Sequence, residues 1–200
     1  GTAPYLGEQV VLEGRWVEHV RFGRQFDAAV CRVVQPTSAA GIQRFLASGA
    51  IKGVGVVTAS RIVERFGENT LEVLGSDPAR LAEVKGISAK KAAAIGEAYA
   101  ELSEMRELML FLESHGVSSG YATKLQATYG NTAITRIKEN PYSLANDVTG
   151  IGFKTADRIA MAMGMERDCN ERIIAGLSYA LTQAAAAGHT CVPDELLVRE

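Results

Sequence analysis

A glycine followed at fixed distances by three apolar residues occurs four times in this chain, and that repeat constrains the fold more than any other feature. Counting from Gly53, Gly86, Gly116 and Gly150, the next residue is Val54, Ile87, Val117 or Ile151. Six places on stands an alanine: Ala59, Ala92, Ala122 or Ala156. Nine places on stands Ile62, Ile95, Leu125 or Ile159. The copies begin 33, 30 and 34 residues apart, the period of a repeated supersecondary unit. Offsets six and nine share one helix face. Each copy therefore reads as a glycine turn that opens a helix. The residue at offset one plugs the turn, the alanine admits a neighbouring helix, and the residue at offset nine enters the core. Phe66-Gly67, Tyr129-Gly130 and Met163-Gly164 are predicted to close three of these helices with a left-handed glycine, and Tyr99 marks the equivalent end in the other copy.

The copies also pair. Copies one and three are each followed by a predicted helix start with proline in its first turn, SDPARLAEV and KENPYSLANDV, and Asn140 is placed as the N-cap of the latter. Residues 44–165 thus read as two similar halves with two units each.

Copy four, TGIGFKTADRI, has the residue types of a phosphate site. It is not a Walker A loop. With Lys154-Thr155 in the last two places, the required glycines would fall at Phe153 and Val148. It is not a dinucleotide fingerprint either, because Thr155 occupies the third glycine position and a helix, not a strand, is predicted upstream. What a glycine turn at a helix start does expose is unpaired backbone N–H groups, and the helix dipole there favours an anion.

Charge follows the turns. The chain carries −2 overall, yet residues 52–66, 85–91, 115–124 and 149–158 carry +2, +3, +1 and +1, leaving −9 elsewhere. Lysines at positive helix ends oppose the usual acidic preference there, which points to an external anion. The near-neutral total argues against a broadly basic nucleic-acid surface.

KGVGVVTASRIVERFG and TGIGFKTADRIAMAMG resemble the helix-hairpin-helix motif, which implies contact with the DNA sugar-phosphate backbone through turn amides, largely without reading sequence. The DNA-binding residues this implies are Lys52, Gly53, Val54, Gly55 and Thr58 in copy one. In copy two they are Lys85, Gly86, Ile87, Lys90 and Lys91, and in copy four Gly150, Ile151, Gly152, Lys154 and Thr155. Ser88 and Ser118 replace the second glycine in copies two and three, a departure that casts those copies mainly as structural partners.

The flanks differ in kind. In residues 1–36, EQVVLEGRWVEH places Val10, Leu12 and Trp16 on one face, and QFDAAVCRVV places Phe26, Ala28, Val30 and Val34 likewise, with Gly23 at the turn. This predicts a β-hairpin with one apolar face, belonging to a small sheet or barrel because an isolated hairpin is marginal. Trp16 is expected in its core, with base stacking as the alternative. A helix is expected near 38–48, ending at Gly49. Another, capped by Asn170, should run to Ala187 and end at Gly188, and VPDELL should start one more. Gly1-Thr2 reads as a cut start. The fold class expected is mainly α, with tandem helix-hairpin-helix repeats behind a small β segment. The regions are 1–36, then 37–165 with four units in two pairs, then 166–200, a helix and the start of a connection onward.

Cys31, Cys169 and Cys191 are scattered and form no Cys-x-x-Cys pair, so neither a disulfide framework nor a metal site is expected. His19, His115 and His189 are far apart in sequence. No long uncharged apolar run and no signal peptide is visible, so a cytoplasmic protein without a membrane is expected.

Taken in order, GRWVEHVRFGRQF, FLASGAIKGVGVVTASRIVERFG, ENPYSLANDVTGIGFKTADRIA and AGLSYALTQAAAAGHTCVP resemble the N-terminal region of RecD-like ATP-dependent DNA helicases, the exonuclease V alpha-subunit-like group. That resemblance implies a superfamily 1 motor beyond Glu200, binding ATP and magnesium and moving 5′ to 3′ on single-stranded DNA. No Walker A motif lies within these 200 residues. The chain is therefore expected to be non-catalytic, to hold no cofactor, and to bind single-stranded or forked DNA without sequence preference. The competing expectation is a scaffold or protein-docking arm that does not itself hold DNA. A free-standing accessory domain of a repair nuclease is a third.

Overall fold

The computed structural model describes residues 4–197, without the side chains of Val30 and Leu196. The expected start at Gly1-Thr2 lies outside the described residues. The chain divides into two compact units, 1–103 and 104–200.

The first unit opens with strands β1, Gln9–His19, and β2, Gly23–Val34, paired antiparallel as the only sheet among the described residues. Gly23 turns the chain with φ +71°. The register slips between Glu13 and Gly14: Trp16 and Gly14 face Phe26 and Ala28, but Leu12 and Val10 face Cys31 and Val33. This β-bulge corrects the expected apolar face, because a one-residue slip exchanges faces. Val34 opposes Gln9 instead, and the expected side-chain position of Val30 lies outside the described residues. Trp16 is not core: it is 61% exposed, with the Phe26 ring centroid 5.2 Å away in an edge-on arrangement and the Arg24 guanidinium 4.7 Å from its own centroid. Two strands alone leave its far face without a covering layer.

Helix α1, Ala39–Ala47, starts where the Ser38 hydroxyl accepts from the Gly41 N–H. It packs on α2, Val56–Phe66. Helix α3, Thr70–Ser76, follows a 3-10 turn, and α4 spans Ala89–Ser114. The core here gathers Phe45, Leu46, Ile62, Leu74, Leu81 and Ile95. In the second unit, α5 is Ala122–Tyr129, α6 Ala133–Glu139, α7 Leu144–Asp147 and α8 Phe153–Ala162. Helix α9, Asn170–Ala186, and α10, Asp194–Leu197, follow. Leu108, Leu112, Leu125, Ile137, Leu144 and Ile159 form this unit's main core.

Both expected helix starts carry proline in their first turn, as 3-10 turns: Pro78–Glu83, and Pro141–Ser143 before α7, where the Asn140 Oδ1 caps by accepting from the Tyr142 N–H at 3.0 Å. Two helix expectations are corrected. Tyr99 ends no helix: α4 continues to Ser114, because Ala100 stands where the other copies have glycine and favours continuation. Asn170 is the first residue of α9, and Cys169 takes the cap position without a side-chain bond. Gly67 and Gly130 do close α2 and α5, but at φ +57° and +56° with ψ −131° and −139°. That is a glycine-only region distinct from the left-handed helix.

Candidate nucleic-acid interface

All four repeat glycines have positive φ: +89° at Gly53, +91° at Gly86, +69° at Gly116 and +92° at Gly150. Behind each, the offset-one residue is buried, and the alanines at offset six and the Ile or Leu at offset nine are 0–1% exposed. The plug residues also close the turns through their amides. Val54, Ile87 and Ile151 donate to the carbonyls of Ile51, Val84 and Val148, at 3.2, 3.0 and 3.0 Å. These three residues are therefore engaged in shaping the turn, by both side chain and N–H.

The mouths of the turns fall into two kinds. In copy two the Ser88 hydroxyl accepts from the Lys91 N–H at 3.2 Å, and in copy three the Ser118 hydroxyl accepts from the Gly120 N–H at 3.2 Å. Those serines are N-caps that satisfy the helix start from within. In copies one and four the cap position is Gly55 or Gly152, and no side chain caps α2 or α8. The first amides of those helices, at Val56 and Val57 and at Phe153 and Lys154, thus have no side-chain cap. Gly55 and Gly152 have φ −97° and −102°, values open to any residue, and a Cβ built on either meets nothing within 4 Å. Neither the backbone nor the packing requires glycine at these two positions.

Of the remaining sequence-predicted residues, Lys52, Gly53, Lys85, Gly86, Lys90, Gly150 and Lys154 are exposed, while Thr58, Lys91 and Thr155 are half-buried. Lys52, Gly53, Gly55 and Thr58 cluster at the first turn of unit one. Gly150, Gly152, Lys154 and Thr155 do so at the second turn of unit two. The Lys154 ammonium lies 6.0 Å from the Tyr179 ring centroid.

Two cations escaped the sequence reading. Arg61 donates through Nη1 to the Lys85 carbonyl at 3.2 Å, and Lys124 donates through Nζ to the Thr149 carbonyl at 2.9 Å. Both stand eight residues after the first repeat glycine of their unit, and both reach the carbonyl immediately before the second. Their shared offset was the available signal. Lys124 thereby adds positive charge beside the uncapped Gly150 turn, with its Nζ 3.1 Å from where a Gly150 Cβ would lie.

Among the described residues no group of three or more His, Cys, Asp or Glu side chains could hold a metal ion, and the three cysteines are free thiols. No described helix is long and apolar enough to cross a membrane.

Residues 101–191 match the model of the ATP-dependent RecD2 DNA helicase HHH domain, and residues 44–99 match that of the SAM-like helix-hairpin-helix tandem. The chain is 28% identical over 199 residues to the ATP-dependent RecD2 DNA helicase of Deinococcus radiodurans, an alignment that covers 96% of this chain and 28% of that protein. The chain thus spans little more than a quarter of the length of this relative. No solved structure matches it. Repeat spacing, turn geometry and both family matches agree on tandem helix-hairpin-helix repeats, and residues 101–191 are similar to the HHH domain of the RecD2 helicases.

Proposed function

We propose that this chain is the non-catalytic DNA-binding region of an ATP-dependent 5′–3′ DNA helicase of repair or recombination, acting in the cytoplasm. It contacts the sugar-phosphate backbone through the amides at Gly55 and Gly152. Lys52, Lys154, Thr58, Thr155 and Lys124 assist, and Lys85, Lys90 and Lys91 contribute charge beside a self-capped turn. ATP and magnesium belong to motor domains outside these residues. The observation that carries the reading is the pair of glycines at Gly55 and Gly152. At an N-cap the fold would accept serine, as it does at Ser88, yet glycine leaves the amides bare and lets a phosphate approach the backbone.

Each hydrogen bond to a phosphate is worth about 1.5–3 kcal/mol, so two turns give weak, sequence-independent affinity. Binding of the 200-residue chain to fluorescent single-stranded, duplex and forked DNA tests the reading. With about four phosphates neutralised, single-strand affinity should drop about fifty-fold between 50 and 200 mM salt. Lys52→Glu and Lys154→Glu should each weaken it. A folded chain that binds none of these DNAs at 50 mM salt would refute the proposal.

One observation favours the alternative of a protein-docking arm. Ile173, Leu177 and Leu181 of α9 are 47%, 38% and 48% exposed, an apolar stripe suited to a protein surface.

A further inference from the structure

Only the fourth turn carries an aromatic residue three places after its glycine: Phe153, where the other copies have Val56, Ala89 and Ser119. Phe153 is the first residue of α8, directly after the uncapped Gly152. Its ring lies between two others in near-parallel array. The Tyr142 centroid is 6.0 Å away at an interplanar angle of 22°, and the Tyr179 centroid 5.2 Å away at 21°. These three rings, Gly152 and Ile174 border an open cavity of about 440 Å³ whose polar edge includes Asn146. Ser178 and Thr182, also at that edge, spend their hydroxyl protons on the carbonyls of Ile174 and Ser178, so toward the cavity they offer only acceptor lone pairs. The cavity thus joins an aromatic wall to a few hydrogen-bonding groups, with Gly152 of the bare helix start and the Glu171 side chain in its lining, and the Lys154 ammonium lies 6.0 Å from the Tyr179 ring centroid.

We propose that this cavity receives an unpaired base of a DNA strand whose phosphate is held at the Gly152 turn. The inference rests on the backbone-contact reading above and deepens it. A base presents a flat π-face, and stacking on aromatic side chains tolerates any sequence. Bases inside a duplex are already stacked and out of reach. The fourth turn therefore selects single strands or unpaired ends. The first turn, with aliphatic Val56 at the equivalent place, holds backbone without that selection.

The test uses the whole chain and oligothymidylate carrying one 2-aminopurine, whose fluorescence falls when the base stacks. Tyr179→Ala removes part of the wall. Ser178→Leu fills the cavity from an exposed helix position without adding an aromatic ring. Circular dichroism checks the fold of each. Wild type should quench the probe, and both variants should lose the quenching. Both should also bind the single strand about tenfold more weakly, the scale of one lost stack, while binding blunt duplex as before. Their salt slope should stay that of wild type because no charge is removed, whereas Lys154→Glu should flatten it. Unchanged quenching and affinity in both variants, with a flattened slope in Lys154→Glu, would overturn the base cavity and leave the backbone clamp standing. Absence of all DNA binding by wild type would remove the clamp and the base cavity together.

Discussion

Gly53 and Gly55 are two residues apart and are glycine for different reasons. Gly53 sits at φ +89°, where an L side chain strains the backbone even though a Cβ there meets no atom within 4 Å. Gly53→Ala should destabilise the chain by about 1–2 kcal/mol, seen as a lower urea midpoint. Gly55 is extended and unconfined. Gly55→Ser supplies the cap that Ser88 supplies in copy two. It should leave stability unchanged or raise it by a few tenths of a kcal/mol while weakening DNA binding. Gly152→Ser should behave alike. A loss of stability above about 1 kcal/mol in either serine variant would mean that the fold, not a ligand, demands the glycine.

At the scale of elements, α9 is tied to α8 by one polar lock. Arg172 donates through Nε to Asp157 Oδ1 at 2.8 Å and through Nη2 to Oδ2 at 3.3 Å, and the Tyr142 hydroxyl donates to Oδ1 at 2.9 Å. The Arg172 bond holds the Asp157 carboxyl below its ordinary value of 3.8, against the opposing effect of burial. Burial, reinforced by the Asp157 carboxylate, pushes the Tyr142 phenol well above its ordinary value. A carboxylate with a lowered folded pKa stabilises fully above the unfolded value and loses that contribution as pH falls through the folded one. Stability of wild type should therefore decline below about pH 4, and Asp157→Asn should show a flatter acid limb in urea titrations followed by circular dichroism. Because both partners keep partial solvent access, Arg172→Ala should cost only about 1–2 kcal/mol. A larger effect would show that the ion pair also orders residues 163–169, since Arg172 Nη1 donates to the Arg167 carbonyl.

Over the whole molecule, each of the two units carries one uncapped turn and one serine-capped turn. With −2 net charge there is no diffuse attraction to DNA, so the dependence on salt should come from the turns. At about two phosphates per turn, displacing the strand from one turn should reduce the single-strand slope by up to about 1.4, and the Gly55→Ser, Gly152→Ser double variant should reduce it furthest, leaving the share of Lys85, Lys90 and Lys91. A double variant no worse than either single one would show that only one unit engages DNA.

The repeat was legible in the sequence because it is written in residues with a single physical use. Positive-φ glycines, a buried alanine and an Ile or Leu three places further mark all four turns, and Ser88 and Ser118 announce which turns cap themselves. The β-bulge was not legible, since nothing in the alternation of Val, Ala and Cys says where the ladder slips. Nor was the exposure of Trp16, which depends on which layers cover a sheet. The Lys124 contact with the Thr149 carbonyl and the ring array around Phe153 join residues up to 26 positions apart. Local sequence sets how each turn opens its helix. Only tertiary packing decides what then stands beside the turn, because side chains distant in sequence meet there only after the cores have formed.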